Sequence, residues 1–178
     1  MVCNYETGRK IGELKRNPFD GMLQAAYSPD GRFLAASGNG DLVVKVYDAA
    51  TLRPYKTLLN LLPVDEFTFS PDGKRLLVRN VLGGGDEVLS MWEIASTRRL
   101  WSRYGYHGGE PAFSPDGTRM LIRNCMFPDS ATLWDANQGD AICVLLGQTG
   151  SDPGCLVFGN DGRSLHLGEP NGPVLWAK

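Results

Sequence analysis

Apolar residues in this chain fall in short runs, and clusters of Gly, Pro, Asn, Asp and Ser separate them. No segment sustains a helical period over the roughly ten residues that a helix needs. Runs of this kind bounded by turn residues predict strands. The pattern places them at 23–27, 32–37, 42–47 and 55–59, then at 66–69, 75–79, 88–92 and 99–103. A third group follows at 111–113, 119–123, 131–134 and 141–145, and a last one at 156–158, 164–167 and 174–176. Two further candidates precede them, 2–5 and 10–15. The expectation is an all-β chain built from groups of four strands.

The turns repeat as regularly as the strands. Ser28-Pro29-Asp30-Gly31, Ser70-Pro71-Asp72-Gly73 and Ser114-Pro115-Asp116-Gly117 are three copies of one phrase, and Gly159-Asn160-Asp161-Gly162 is a worn fourth. Proline presets φ, aspartate bonds the backbone two residues on, and glycine supplies positive φ, so each copy predicts a tight turn between paired strands. The copies are spaced by 42, 44 and 45 residues. A second marker, an aromatic followed by an acidic or small residue, keeps step at Tyr5-Glu6, Tyr47-Asp48, Trp92-Glu93, Trp134-Asp135 and Trp176-Ala177. A fixed period of this size denotes an array of one supersecondary unit. It divides one domain, 1–178, into repeats at about 22–60, 64–104, 109–146 and 154–178, with 1–16 as a partial unit or closing strands.

These residues carry a family resemblance. Four strands in 40–45 residues closed by Leu133-Trp134-Asp135, or by Val44-Lys45-Val46-Tyr47-Asp48, resemble the WD40 repeat, and Phe33-Leu34-Ala35-Ala36-Ser37-Gly38 resembles its second strand. The family's aspartate six residues before the Trp position is matched by Asp41 and Asp86, while the third repeat has Asp129 at five and the fourth has Asn171. The resemblance implies a β-propeller or partial propeller of about four four-stranded blades. The family's Gly-His before the first strand is missing, and its paired serine or threonine survives only as Ser37. Most of the family's His-Ser-Asp-Trp network is therefore absent, which leaves the blades to rely on packing. The last repeat lacks a fourth strand, whereas the first residues offer a spare one together with a surplus third. A closed monomer, paired halves forming a homodimer, and a section of a longer propeller all fit that arithmetic.

Composition narrows the partners. The chain is 42% hydrophobic and 21% charged, as a folded domain is, and its net charge of −2 argues against bulk attraction to nucleic acid or anionic membrane. Cys3, Cys125, Cys143 and Cys155 show no metal-ligand spacing and read as strand residues of a reducing compartment. With no signal-peptide pattern after Met1 and no membrane-length apolar run, a cytoplasmic protein is expected. No catalytic constellation stands out. The only histidines are His107 and His166, no Gly-x-Ser-x-Gly is present, and Gly83-Gly84-Gly85 lacks the Lys-Ser/Thr and helix of a phosphate loop. No enzyme activity, cofactor or metal is expected.

Candidate binding residues are those that break the repeat. Arg79 and Arg123 end second strands where the WD40 resemblance implies a small hydroxyl. Arginine there offers a forked donor to a partner's anion, or an ion pair with acids such as Asp86 or Asp129. Tyr104, Tyr106, His107 and Phe127 add non-repeating loop aromatics and a histidine to the same expected face. The resemblance implies a non-enzymatic scaffold for protein–protein interaction. Two alternatives stay open: a propeller that gates or regulates an enzyme domain on another chain, and a channel that binds an anionic ligand.

Overall fold

The computed structural model describes residues 2–3, 8–13, 23–38, 41–82, 87–106, 111–123, 130–146, 156–159, 161–162, 164–167 and 174–176. Among these residues there is no helix, and every sheet is antiparallel and open. A hairpin of β1 (Val2–Cys3) and β2 (Lys10–Gly12) comes first. Sheet I follows, with β3 (Leu23–Tyr27), β4 (Phe33–Gly38), β5 (Val43–Asp48) and β6 (Pro54–Leu59). Sheet II holds β7 (Val64–Phe69), β8 (Arg75–Val81), β9 (Glu87–Glu93) and β10 (Arg98–Tyr106). Sheet III holds β11 (Ala112–Phe113), β12 (Arg119–Arg123), β13 (Ser130–Asp135) and β14 (Ala141–Leu146). Sheet IV holds β15 (Leu156–Phe158), β16 (Ser164–Leu167) and β17 (Val174–Trp176). In each sheet the strands pair in chain order, as the predicted groups of four require.

The repeated phrase does the same work in three turns. The Ser28 hydroxyl donates to Asp30 Oδ1 at 2.6 Å and accepts the Phe33 N–H at 2.9 Å, while the Arg32 N–H donates to Asp30 at 3.1 Å. Ser70, Asp72, Lys74 and Arg75 repeat these bonds, as do Ser114, Asp116, Thr118 and Arg119. Each serine is buried, so its hydroxyl needs these partners. In the worn copy the hydroxyl has moved five residues along. Ser164 Oγ and the Ser164 N–H both donate to Asp161, at 2.9 and 3.0 Å, and a side chain on Gly159 would collide with Ser164 Oγ.

The core lies between sheets. Both faces of a central strand are buried, so Leu76, Leu77 and Val78 of β8 are all inside rather than alternating. Leu76, Val78, Phe67 and Trp92 of sheet II pack with Ala35, Val44, Val46 and Leu58 of sheet I. The opposite face of sheet II, with Leu77, Leu89, Met91 and Trp101, packs on Met120 and Ile122 of sheet III and on Ala136 in the turn after β13. Leu121, Ala131 and Leu133 then pack with Leu165 of sheet IV. Buried Trp92 Nε1 has no hydrogen-bond partner among the described residues, in keeping with a core held by packing.

Sheets I and II, and sheets III and IV, approach each other at their first strands. Cα atoms of β3 and β7, and of β11 and β15, come within 8 Å, and β12 also reaches β15. Gln24 Oε1 accepts the Phe67 N–H at 3.1 Å across the first of these gaps. Side chains also link sheets II and III. The Trp101 indole donates to Ala136 O at 3.0 Å and lies against Gly139, where any Cβ would collide with the ring. Between the hairpin and sheet I the sizes are reversed, because Gly12 lies against Leu52. Leu52, Thr97 and Gly139 occupy one position of the turn between third and fourth strands, and all have positive φ, at 54°, 57° and 72°.

Candidate functional site

The end of sheet II that gathers the start of β7, the end of β8, the start of β9 and the end of β10 carries a charged cluster. Arg79 lies opposite Glu66 in the β7–β8 register. The register shifts between Val64 and Glu66, so Asp65 is an extra residue, and a bulge of this kind re-aims side chains. Two consecutive carboxylates thereby reach one guanidinium: Arg79 Nη2 lies 2.7 Å from Asp65 and 2.9 Å from Glu66. Glu87, at the start of β9, approaches Arg79 Nη1 at 3.5 Å. The Arg79 side chain is 20% exposed, and those of Glu66 and Glu87 are 17% and 15% exposed. Three acids thus gather around one arginine at this end of the sheet.

The same end is closed by buried asparagine. Asn80 Nδ2 donates to Leu62 O at 3.0 Å and to Pro63 O at 2.8 Å, which ties the loop between sheets I and II to the end of β8. In sheet I the corresponding end is held by Asp41, whose carboxylate accepts the Gly38 N–H at 3.0 Å, and by Ser37, whose hydroxyl donates to Val43 O at 2.8 Å. The turn aspartate therefore acts by tightening the bend. Asp86, Asp129 and Asn171 lie outside the described residues.

Tyr104 is 74% exposed and pairs with Val88, while Tyr106 pairs with Glu87. Gly105 between them has φ +71° and is the extra residue of a bulge, a conformation that favours glycine. The tyrosines thus stand at the end of sheet II that holds Arg79, in an extension of β10 beyond the predicted 99–103. Arg123 ends β12 opposite Ala131 and is half-buried at the matching end of sheet III. His107 and Phe127 lie outside the described residues. The structure brings Arg79, Tyr104 and Tyr106 to one end of one sheet, with Arg123 on the next.

Sequence reasoning missed the acids. Asp65, Glu66 and Glu87 are unremarkable in the sequence, and only the bulge converts two neighbours into partners of one arginine. Exposed Leu42, Leu59, Leu61 and Val81 also flank turns at this end of sheets I and II. A shallow cleft of about 10 Å³ between sheets II and III is lined by Glu66, Phe67, Leu77, Arg79, Leu89 and Pro111. Ligand pockets usually exceed about 300 Å³. Among the described residues no group of three or more His, Cys, Asp or Glu could hold a metal ion, and no helix is long and apolar enough to cross a membrane. No family model and no curated protein matches the sequence.

Proposed function

We propose that this chain is a WD40-like β-propeller, or a section of one, that serves as a non-enzymatic scaffold for protein–protein interaction. Support for the propeller comes from repeated sheets of which I and II, and III and IV, approach through their first strands, as blades around an axis do. The observation that carries the functional half is Tyr104, 74% exposed on a strand end beside the Arg79 cluster. Exposed tyrosine on a rigid element supplies contact area at low entropic cost, and Tyr and Arg are enriched among residues that dominate binding energy. The face comprises Tyr104, Tyr106 and Arg123, with Arg79 as the organiser of its acids and His107 and Phe127 as its expected loop residues.

An anionic ligand is the weaker reading at Arg79, because three carboxylates already surround its guanidinium. The test is affinity capture by the full chain and by Tyr104→Ala/Tyr106→Ala, with melting followed in parallel. Proteins retained by the parent and lost by the variant at unchanged stability support the scaffold. An identical set on both, or hydrolase activity in the purified chain, overturns it.

A further inference from the structure

We propose that β14 is a self-association edge, through which two copies of this chain pair β14 against β14 in antiparallel orientation about a two-fold axis. Among the described residues, each of sheets I, II and III ends on an outer strand whose outward backbone groups could pair with another strand. Such edges are usually blunted by charge or proline. β6 carries Pro54 and Lys56, and β10 carries Arg98, Arg99 and Arg103. β14 reads Ala141-Ile142-Cys143-Val144-Leu145-Leu146, with neither device.

Its side chains are open as well. Ile142 is 47% exposed, Val144 is 58% exposed, and Cys143 is an exposed free thiol. A register shift makes Ile142 an extra residue opposite β13, but all three outer strands carry this irregularity near their start, so it does not set β14 apart. From Cys143 to Leu146 the ladder with β13 is regular. The nearest charge, Asp140, is neutralised within the chain by Arg103 at 2.6 Å.

These features select a second copy as the occupant. An uncharged edge meets its own copy without repulsion, whereas β6 or β10 would bring cations against their own copies. An isologous contact also closes after two chains, and apolar β-branched side chains such as Val144 make favourable cross-strand pairs. One strand per chain buries little area, so the contact belongs to the weak, concentration-dependent class. It is separate from any ring completion by terminal strands, and it does not depend on the Tyr104 face.

The test is light scattering of the full chain across a wide concentration range, beside Val144→Lys and Ile142→Lys. A monomer–dimer equilibrium is expected, with the dissociation constant raised about tenfold or more by either lysine while melting stays unchanged. Two exposed sites are used so that one variant that fails to fold leaves the other to decide. A short thiol–thiol cross-linker should join parent chains through Cys143 faster than it joins Cys143→Ser/Thr57→Cys, which presents its thiol on β6. A monomer at every concentration, a dimer indifferent to both lysines, open-ended oligomers, or equal cross-linking from β6 would each overturn the proposal.

Discussion

Replacing Arg79 with alanine should destabilise the fold rather than only weaken a surface contact. The substitution removes the base from Asp65, Glu66 and Glu87 and leaves three carboxylates close together. Exposed ion pairs contribute about 0–1 kcal/mol, and removing one partner of a buried pair costs about 3–5 kcal/mol. Glu66 and Glu87 are 17% and 15% exposed, Arg79 is 20% exposed, and Asp65 is 40% exposed, so solvent screens part of the effect. The expected loss is about 2–3 kcal/mol. In a chain of 178 residues that corresponds to a melting temperature lower by about 5–10 °C. Urea unfolding at neutral pH measures it, and Arg79→Ala/Glu66→Gln should recover part of the loss because repulsion among the three carboxylates is reduced. A change below about 0.5 kcal/mol, or no recovery in the double variant, would refute the cluster as a structural unit and return Arg79 to the surface.

Three further outcomes are expected. Gly139→Ala places a Cβ against the Trp101 ring at a backbone of φ +72°, so it should cost about 2–4 kcal/mol, measured by thermal melting, with altered tryptophan fluorescence. Thr97→Gly relieves a β-branched residue at φ 57° in the equivalent turn and should stabilise by up to about 1 kcal/mol in denaturant titration; a loss would contradict the strain. The Ser28 hydroxyl and Arg32 N–H hold Asp30 below the usual aspartate range, as the Ser114 hydroxyl and Thr118 N–H hold Asp116. Burial pushes Asp72 upward, but the Ser70 hydroxyl and Lys74 N–H outweigh it and the net direction is again down. Their contribution is complete above about pH 4 and is lost as pH falls through the lowered values. The urea midpoint should therefore drop in acid, with a shallower drop in Asp30→Asn/Asp72→Asn/Asp116→Asn.

The all-β class, the strand order and three of the four repeated turns were legible because the Ser-Pro-Asp-Gly phrase fixes backbone geometry locally. Its fourth copy shows the limit of that code: the hydroxyl supplied by Ser28 elsewhere is supplied by Ser164, a swap visible only once the turn is folded. The turn that holds Leu52, Thr97 and Gly139 at positive φ was also hidden, since only one of the three is glycine. The size exchange between Gly12 against Leu52 and Trp101 against Gly139 belongs to contacts between sheets, which strand periodicity does not encode. At the candidate site the sequence marked Arg79 as out of pattern but left open whether it faced a partner or an acid. The bulge at Asp65 decides which acids it meets, and a one-residue shift in register has no signature in composition or spacing.

The proposed propeller requires sheets that fan outward from their first strands, and dipolar broadening between paired spin labels tests that arrangement most directly. One pair would sit on first strands, Ala25→Cys with Thr68→Cys, and one on outer strands, Thr57→Cys with Arg99→Cys. Both would be made in chains stripped of native cysteine and diluted in unlabelled protein, so that only distances within one molecule are read. β3 and β7 come within 8 Å, so strong broadening is predicted for the inner pair and much weaker broadening for the outer one. Equal broadening would mean flat, parallel layers, and the reverse order would mean sheets joined at their outer strands; either would contradict the radial array.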